Sequence, residues 1–167
     1  MLLFTVMQAF ANSPITAIAD TAITGMVKAK IVADPTLSNS QVDVTTNKGV
    51  VSLSGTVKTD SEADALVQIA QSISSVKDVN TSKLSVQESK HPMADTIITA
   101  KIKGLFIREK LFGDKDIAAM SIHVETNNGI VALTGTADSN QQASNAVKIA
   151  KSVKGVKNVE SRIKVME

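Results

Sequence analysis

The chain has 167 residues, of which 43% are apolar, and it carries a net charge of +2 with no Cys, Trp or Tyr. That apolar content belongs to a folded chain, and the missing Cys excludes thiol catalysis, disulfides and Cys-based metal sites. So small a charge, with no aromatic platform for bases, gives no sign of a nucleic-acid partner.

The first residues, Met1 to Ala11, read as the apolar part of a secretory signal, with Ala9-Phe10-Ala11 as a small-x-small cleavage site before Asn12. Ala17-Ile18-Ala19 is a second candidate. No Lys or Arg precedes Lys28, so the usual basic start is missing. The other reading is a hydrophobic segment packed on the body or continuing into the first helix. The run is too short to cross a membrane as a helix, and no Cys is present to carry a lipid anchor. The expectation is an exported, soluble protein with residues 1–19 as the signal segment.

Asp20 is placed to cap a first helix running to Val32, with Ile23, Val27 and Ile31 on one side. Asp34-Pro35 ends it, because the residue before Pro is biased away from helix. Val42 and Val44 then alternate with polar neighbours as a half-buried strand does. A turn at Asn47-Lys48-Gly49 leads into a returning strand with Val51, Leu53 and Gly55 on its inner face. Thr59-x-x-Glu62 is a capping box, followed by Ala63, Leu66, Val67, Ile69, Ala70 and Ile73 at helical spacing. A last strand closes the unit. Val79 and Thr81 fit one of its faces and Leu84 and Val86 the other, so a bulge is expected near Ser82.

The whole series then returns. Val44-x-Thr46-Asn47-x-Gly49-x-Val51-x-Leu53-x-Gly55-Thr56 reappears as Val124-x-Thr126-Asn127-x-Gly129-x-Val131-x-Leu133-x-Gly135-Thr136, and Ser139-x-x-Gln142 is the second capping box. The unit is too long for a solenoid repeat and long enough for a small domain with its own core. Hairpin strands pair antiparallel, and strands joined by a helical crossover pair parallel. The expected fold class is therefore α+β: two domains, each α-β-β-α-β, with a small mixed three-stranded sheet against two helices. The expected boundaries are 20–87 and 94–167, with a polar linker at 88–93. Gly49, Gly55, Gly129 and Gly135 recur because turns and strand ends need them.

The run from Gly49 to Val57 (Gly-Val-Val-x-Leu-x-Gly-Thr-Val), the Ala-rich helix after it, and Val76-Lys77-x-Val79 resemble the BON domain. So does Asp95-Thr96-x-Ile98-Thr99-Ala100-Lys101-Ile102-Lys103. The resemblance runs from Asp20 to Val165 as tandem copies. The first copy departs from it at Ser75, where the second keeps Gly155. The resemblance implies export to the bacterial periplasm, a link to osmotic or envelope stress, and attachment to phospholipid surfaces or other envelope components without enzymatic activity.

The residues agree with a non-enzyme. His91 lies in the linker, and His123 stands where the first copy has Asp43, with no partner at ligand spacing on its strand. Asp60, Glu62 and Asp64 crowd a helix start, where the dipole favours carboxylates; the second copy has Asn140, Gln142 and Ser144 there. The glycines match neither a P-loop nor a dinucleotide fingerprint, so no cofactor or metal is expected.

Differences between the copies point to a partner. From Asp20 to Glu88 six Lys face eight acids, about −2; from Asp95 onward eleven Lys and Arg face eight acids, about +3. Lys148, Lys151, Lys154 and Lys157 have as first-copy counterparts Gln68, Gln71, Ser74 and Lys77. The second copy also carries a longer segment after its first helix, with Phe106 and Phe112 beside Lys110 and Lys115. Two readings stand. The lysines complement a helix dipole and the Phe residues belong to a longer, buried helix; or Lys148, Lys151, Lys154 and Lys110 face anionic phospholipid, with Phe106 and Phe112 as wedges. A chaperone-like module that binds envelope proteins is the alternative function. The oligomeric state is not legible.

Overall fold

A computed structural model describes residues 14–111 and 121–166. The first repeat comprises α1 (Pro14–Ala33), a short 3-10 turn (Pro35–Leu37), β1 (Gln41–Asn47), β2 (Val50–Thr59), α2 (Asp60–Gln71) and β3 (Asp78–Glu88). The second comprises α3 (Met93–Arg108), β4 (Ile122–Asn127), β5 (Ile130–Ala137), α4 (Asn140–Ser152) and β6 (Asn158–Val165). In each, the hairpin is antiparallel and the post-helix strand joins the central strand in parallel. The chain is the expected tandem α+β structure. Residues 1–13, most of the expected signal segment, lie outside the described residues.

Asp20 does not cap its helix. α1 begins six residues earlier, at Pro14, and the Asp20 carboxylate instead accepts the backbone N–H groups of Lys48 (2.7 Å) and Gly49 (2.9 Å) in the β1–β2 turn. Asp95 does the same for Asn128 (2.8 Å) and Gly129 (2.9 Å). Both turn residues have positive φ in each copy (50° and 80°, 50° and 79°), which aims their N–H groups to one side. Thr24 donates to Thr46 (2.7 Å) and Thr99 to Thr126 (2.8 Å), a second stitch about one helical turn along.

The capping boxes form, with a shift. Thr59 accepts from the Glu62 N–H and Ser139 from the Gln142 N–H. The return bonds reach Lys58 and Asp138, one residue before each cap. The bulge lies where the alternation places it: Ser52 pairs with Asn80 but Ser54 with Lys83, and the Asn80 side chain takes the displaced Ser82 N–H (2.9 Å). β5 and β6 pair without interruption. At Gly55 and Gly135 a Cβ would run into the carbonyl oxygens of Gln41 and Ser121, so no other residue fits the hairpin there.

The repeats share a seam. α3 turns Ile98, Ile102, Leu105 and Phe106 into its own core, while Ala100 is buried in the first repeat's core and Ile97 packs against it. Gly104 lies so close to α2 that a Cβ there would stand 2.7 Å from the Gln71 Cβ and 2.8 Å from the Gln68 carbonyl oxygen. Lys103 pairs with Asp64 (3.1 Å), Lys101 with Asp78 (2.7 Å), and the Arg108 guanidinium donates to the Val76 carbonyl (2.8 Å). The connection is also pinned, since the Asp60 carboxylate accepts from the Ser89 hydroxyl and from the N–H groups of Lys90 and His91.

Two glycines on equivalent helices separate packing from propensity. Gly25 on α1 has nothing within 4 Å of an added Cβ, so Gly25→Ala raises stability by about 1 kcal/mol through helix propensity. Gly104→Ala overpacks the seam and lowers it by about 1–2 kcal/mol after that gain. Urea unfolding of the two variants checks the opposite signs. Burial opposes ionisation of Asp60, but the N–H of Lys90, the Ser89 hydroxyl, the N–H of His91 and the His91 charge together hold its carboxyl below the ordinary 3.8. A depressed folded value means that Asp60 stabilises the fold above about that pH, an advantage lost as pH falls through the folded value. Asp60→Asn should lower stability at neutral pH and flatten its decline below pH 4, read from thermal melts across an acid series.

Candidate functional site

The two second helices differ in what covers them. α2 buries Ala63, Leu66, Val67, Ala70 and Gln71, because the sheet takes one side and α3 the other. α4 buries only Ala146 and Ala150. Its outer face has no further helix against it among the described residues, and Lys148 and Lys151 stand there exposed. Lys154 follows in the exposed turn after the helix. None of the three forms an ion pair among the described residues.

A groove of about 540 Å³ runs between the end of α3 and this face, with Leu105, Ile149 and Leu111 at its floor and sides and Lys110 and Lys148 among its lining. Gln142 closes one end by donating to the Leu111 carbonyl (2.8 Å). Its first-repeat counterpart Glu62 is a carboxylate with no N–H to give. The equivalent groove in the first repeat, between α1 and α2, is flanked by Ala65, Gln68 and Ile69, and α3 brings Ile107 to its edge.

Phe106 is a correction to the sequence reading. It is fully buried in the second core, on the same side of α3 as Ile102, and no wedge can form from it. Neither does the helix run on to Phe112: α3 ends at Arg108, with Lys110 at positive φ after it. Phe112 and Lys115 lie outside the described residues.

The two His residues, expected as separate surface positions, line one cleft at the seam. His91 from the connection and His123 from β4 share it with Asp60, Asp64, Glu125 and Lys103. Only the packing of α3 on α2 brings them together, so sequence spacing carried no signal. Among the described residues no three His, Asp or Glu groups are arranged to hold a metal ion.

Comparison with known proteins now bears on this surface. The BON domain profile matches residues 19–88 and again 94–167. The chain belongs to the BON-domain family. Among curated relatives, the Osmotically-inducible protein Y of Escherichia coli is 36% identical over 150 residues, which span 87% of this chain and 72% of that protein. An "Uncharacterized protein in gshII 5'region" of Anaplasma centrale is 27% identical over 126 residues, 75% of this chain and 82% of that one. Of solved structures, the C-terminal domain of CdsD, the structural protein of the type III secretion system of Chlamydia trachomatis, aligns at a TM-score of 0.36 and 15% identity, covering 89% of this chain and 67% of that one. In the BON repeats of this chain the shared hairpin is scaffold, and what distinguishes the second repeat is the basic face of α4, uncovered among the described residues.

The burial of Phe106 predicts a core residue's response. Phe106→Ala should lower stability by about 3–5 kcal/mol, measured by denaturant unfolding.

Proposed function

We propose that this chain is a non-catalytic osmotic-stress protein of the bacterial periplasm that attaches reversibly to anionic phospholipid, mainly through its second BON repeat. The observation that carries this reading is the open face of α4, where Lys148 and Lys151 replace the amides Gln68 and Gln71 and remain exposed. A spacing of three keeps the two on one side of the helix, and Lys154 and Lys110 extend the basic area at either end. Each lysine close to an anionic surface contributes about 1 kcal/mol, fading over roughly 8–10 Å of Debye length in ordinary salt. Three or four give weak, salt-sensitive attachment. With Phe106 in the core, what the described residues offer such a surface is electrostatic.

Envelope localisation and osmotic regulation rest on the likeness to the E. coli protein and on the apolar N-terminal residues. Among the described residues no helix is long and apolar enough to cross a membrane. A second reading, a chaperone-like module for envelope proteins, is favoured by Met26 and Val32, which are 44% and 83% exposed on α1.

Flotation with anionic liposomes distinguishes the two. The protein should float at low salt and sink at high salt, and Lys148→Glu, Lys151→Glu and Lys154→Glu together should abolish flotation without changing the melting temperature. Unchanged flotation of that variant would remove the second-repeat reading. Suppression of client aggregation by protein that never floats would select the chaperone-like one.

A further inference from the structure

α1 and α3 are one element in two environments. Asp20 and Asp95 grip equivalent turns and Thr24 and Thr99 make equivalent hydroxyl contacts, so the register between the helices is fixed. In that register Ile97, Ala100, Gly104 and Ile107 correspond to Ala22, Gly25, Ala29 and Val32, and Lys103 corresponds to Lys28. On α3 this side lies against α2: Ala100 and Gly104 are buried, and Lys103 reaches Asp64. On α1 all five counterparts are exposed, Val32 at 83%, and beside them Met26 stands 44% exposed. Both helices are apolar on two sides, and a helix of that kind calls for a cover on each. Among the described residues only α3 has its second cover.

The internal seam shows what chemistry such a cover has. α2 offers α3 a carboxylate, Asp64, with the amides Gln68 and Gln71 beside it. In a second copy the only comparable uncovered helix described is α4, whose equivalents are Ser144, Lys148 and Lys151. That surface has no carboxylate for Lys28, and it would press two lysines under an apolar face already flanked by Lys28 and Lys30. Desolvating unpaired like charges is strongly unfavourable.

We propose that the outer face of α1 docks a helix of another protein with the surface chemistry of α2, a carboxylate placed for Lys28 with neutral amides alongside, and that Lys148 and Lys151 bar α4 of a second copy from that seat. The proposal is independent of lipid attachment. It places a specific protein contact at the end of the molecule opposite the basic helix in chain order.

The full chain supplies its own probe. Ser144→Asp, Lys148→Gln and Lys151→Gln together write the α2 surface onto α4, at exposed positions. In sedimentation velocity the wild type should run as a monomer. The triple variant should shift with concentration towards dimers and longer head-to-tail species, as a heterologous interface requires. Adding Gly25→Leu, at a position open in the free helix and buried at its α3 counterpart, should return it to monomer. A triple variant that keeps the wild-type circular dichroism yet stays monomeric would overturn the proposal, as would multimers that survive Gly25→Leu. Wild-type multimers would overturn the lysine barrier.

Discussion

One carboxylate per repeat sets the geometry on which everything else is built. Asp20 and Asp95 each accept both N–H groups of a left-handed turn, and Asp95 does so while buried. Charge-assisted bonds of this kind are about twice as strong as neutral ones, and losing one partner would strand the other without water. With the threonine pair a turn further on, each first helix is held at two points and cannot roll. The roll decides which residues meet the sheet and which look away. Ile23 and Val27, or Ile98 and Ile102, are thereby committed to the sheet, and the opposite side of α3 is presented to α2.

Charge follows from that arrangement. The acidic excess of the first repeat is largely spent at the seam and the connection, where Asp64, Asp78 and Asp60 hold Lys103, Lys101 and the backbone at Lys90 and His91. The second repeat's surplus of positive charge therefore remains on α4 and the turn after it. The opposite signs of the two copies serve packing on one side and leave a basic face on the other.

Much of the fold was legible because its causes are local. The hairpins, the capping residues and the strand bulge near Ser82 each depend on side chains within a few positions of one another, and the structure places them as the pattern implies. Asp20 was misread because Asp is a good cap, and nothing nearby tells that a turn 28 residues away takes its carboxylate. Phe106 was open to two readings because α3 is apolar on two sides; periodicity marks a face but not what covers it. That two-sided pattern, with Ile97, Ala100 and Gly104 opposite Ile98 and Ile102, was the missed sign of a helix between two cores. The lysines of α4 stood out by comparing the copies. Their exposure did not, because it depends on α4 having, among the described residues, no neighbour of the kind α2 has.

α3 has a consequence for the wholeness of the molecule. Ala100 completes the first core and Ile102, two residues on, fills the second, so neither repeat can open without stripping a wall from the other. Two units that each have the makings of a domain thus share a wall, and the seam adds to what the peptide connection does. A nick between Glu88 and Met93 would sever the chain yet leave the halves mated, the α2–α3 contact acting as a clasp between separate fragments. Duplication here has yielded two repeats that are built through one shared helix.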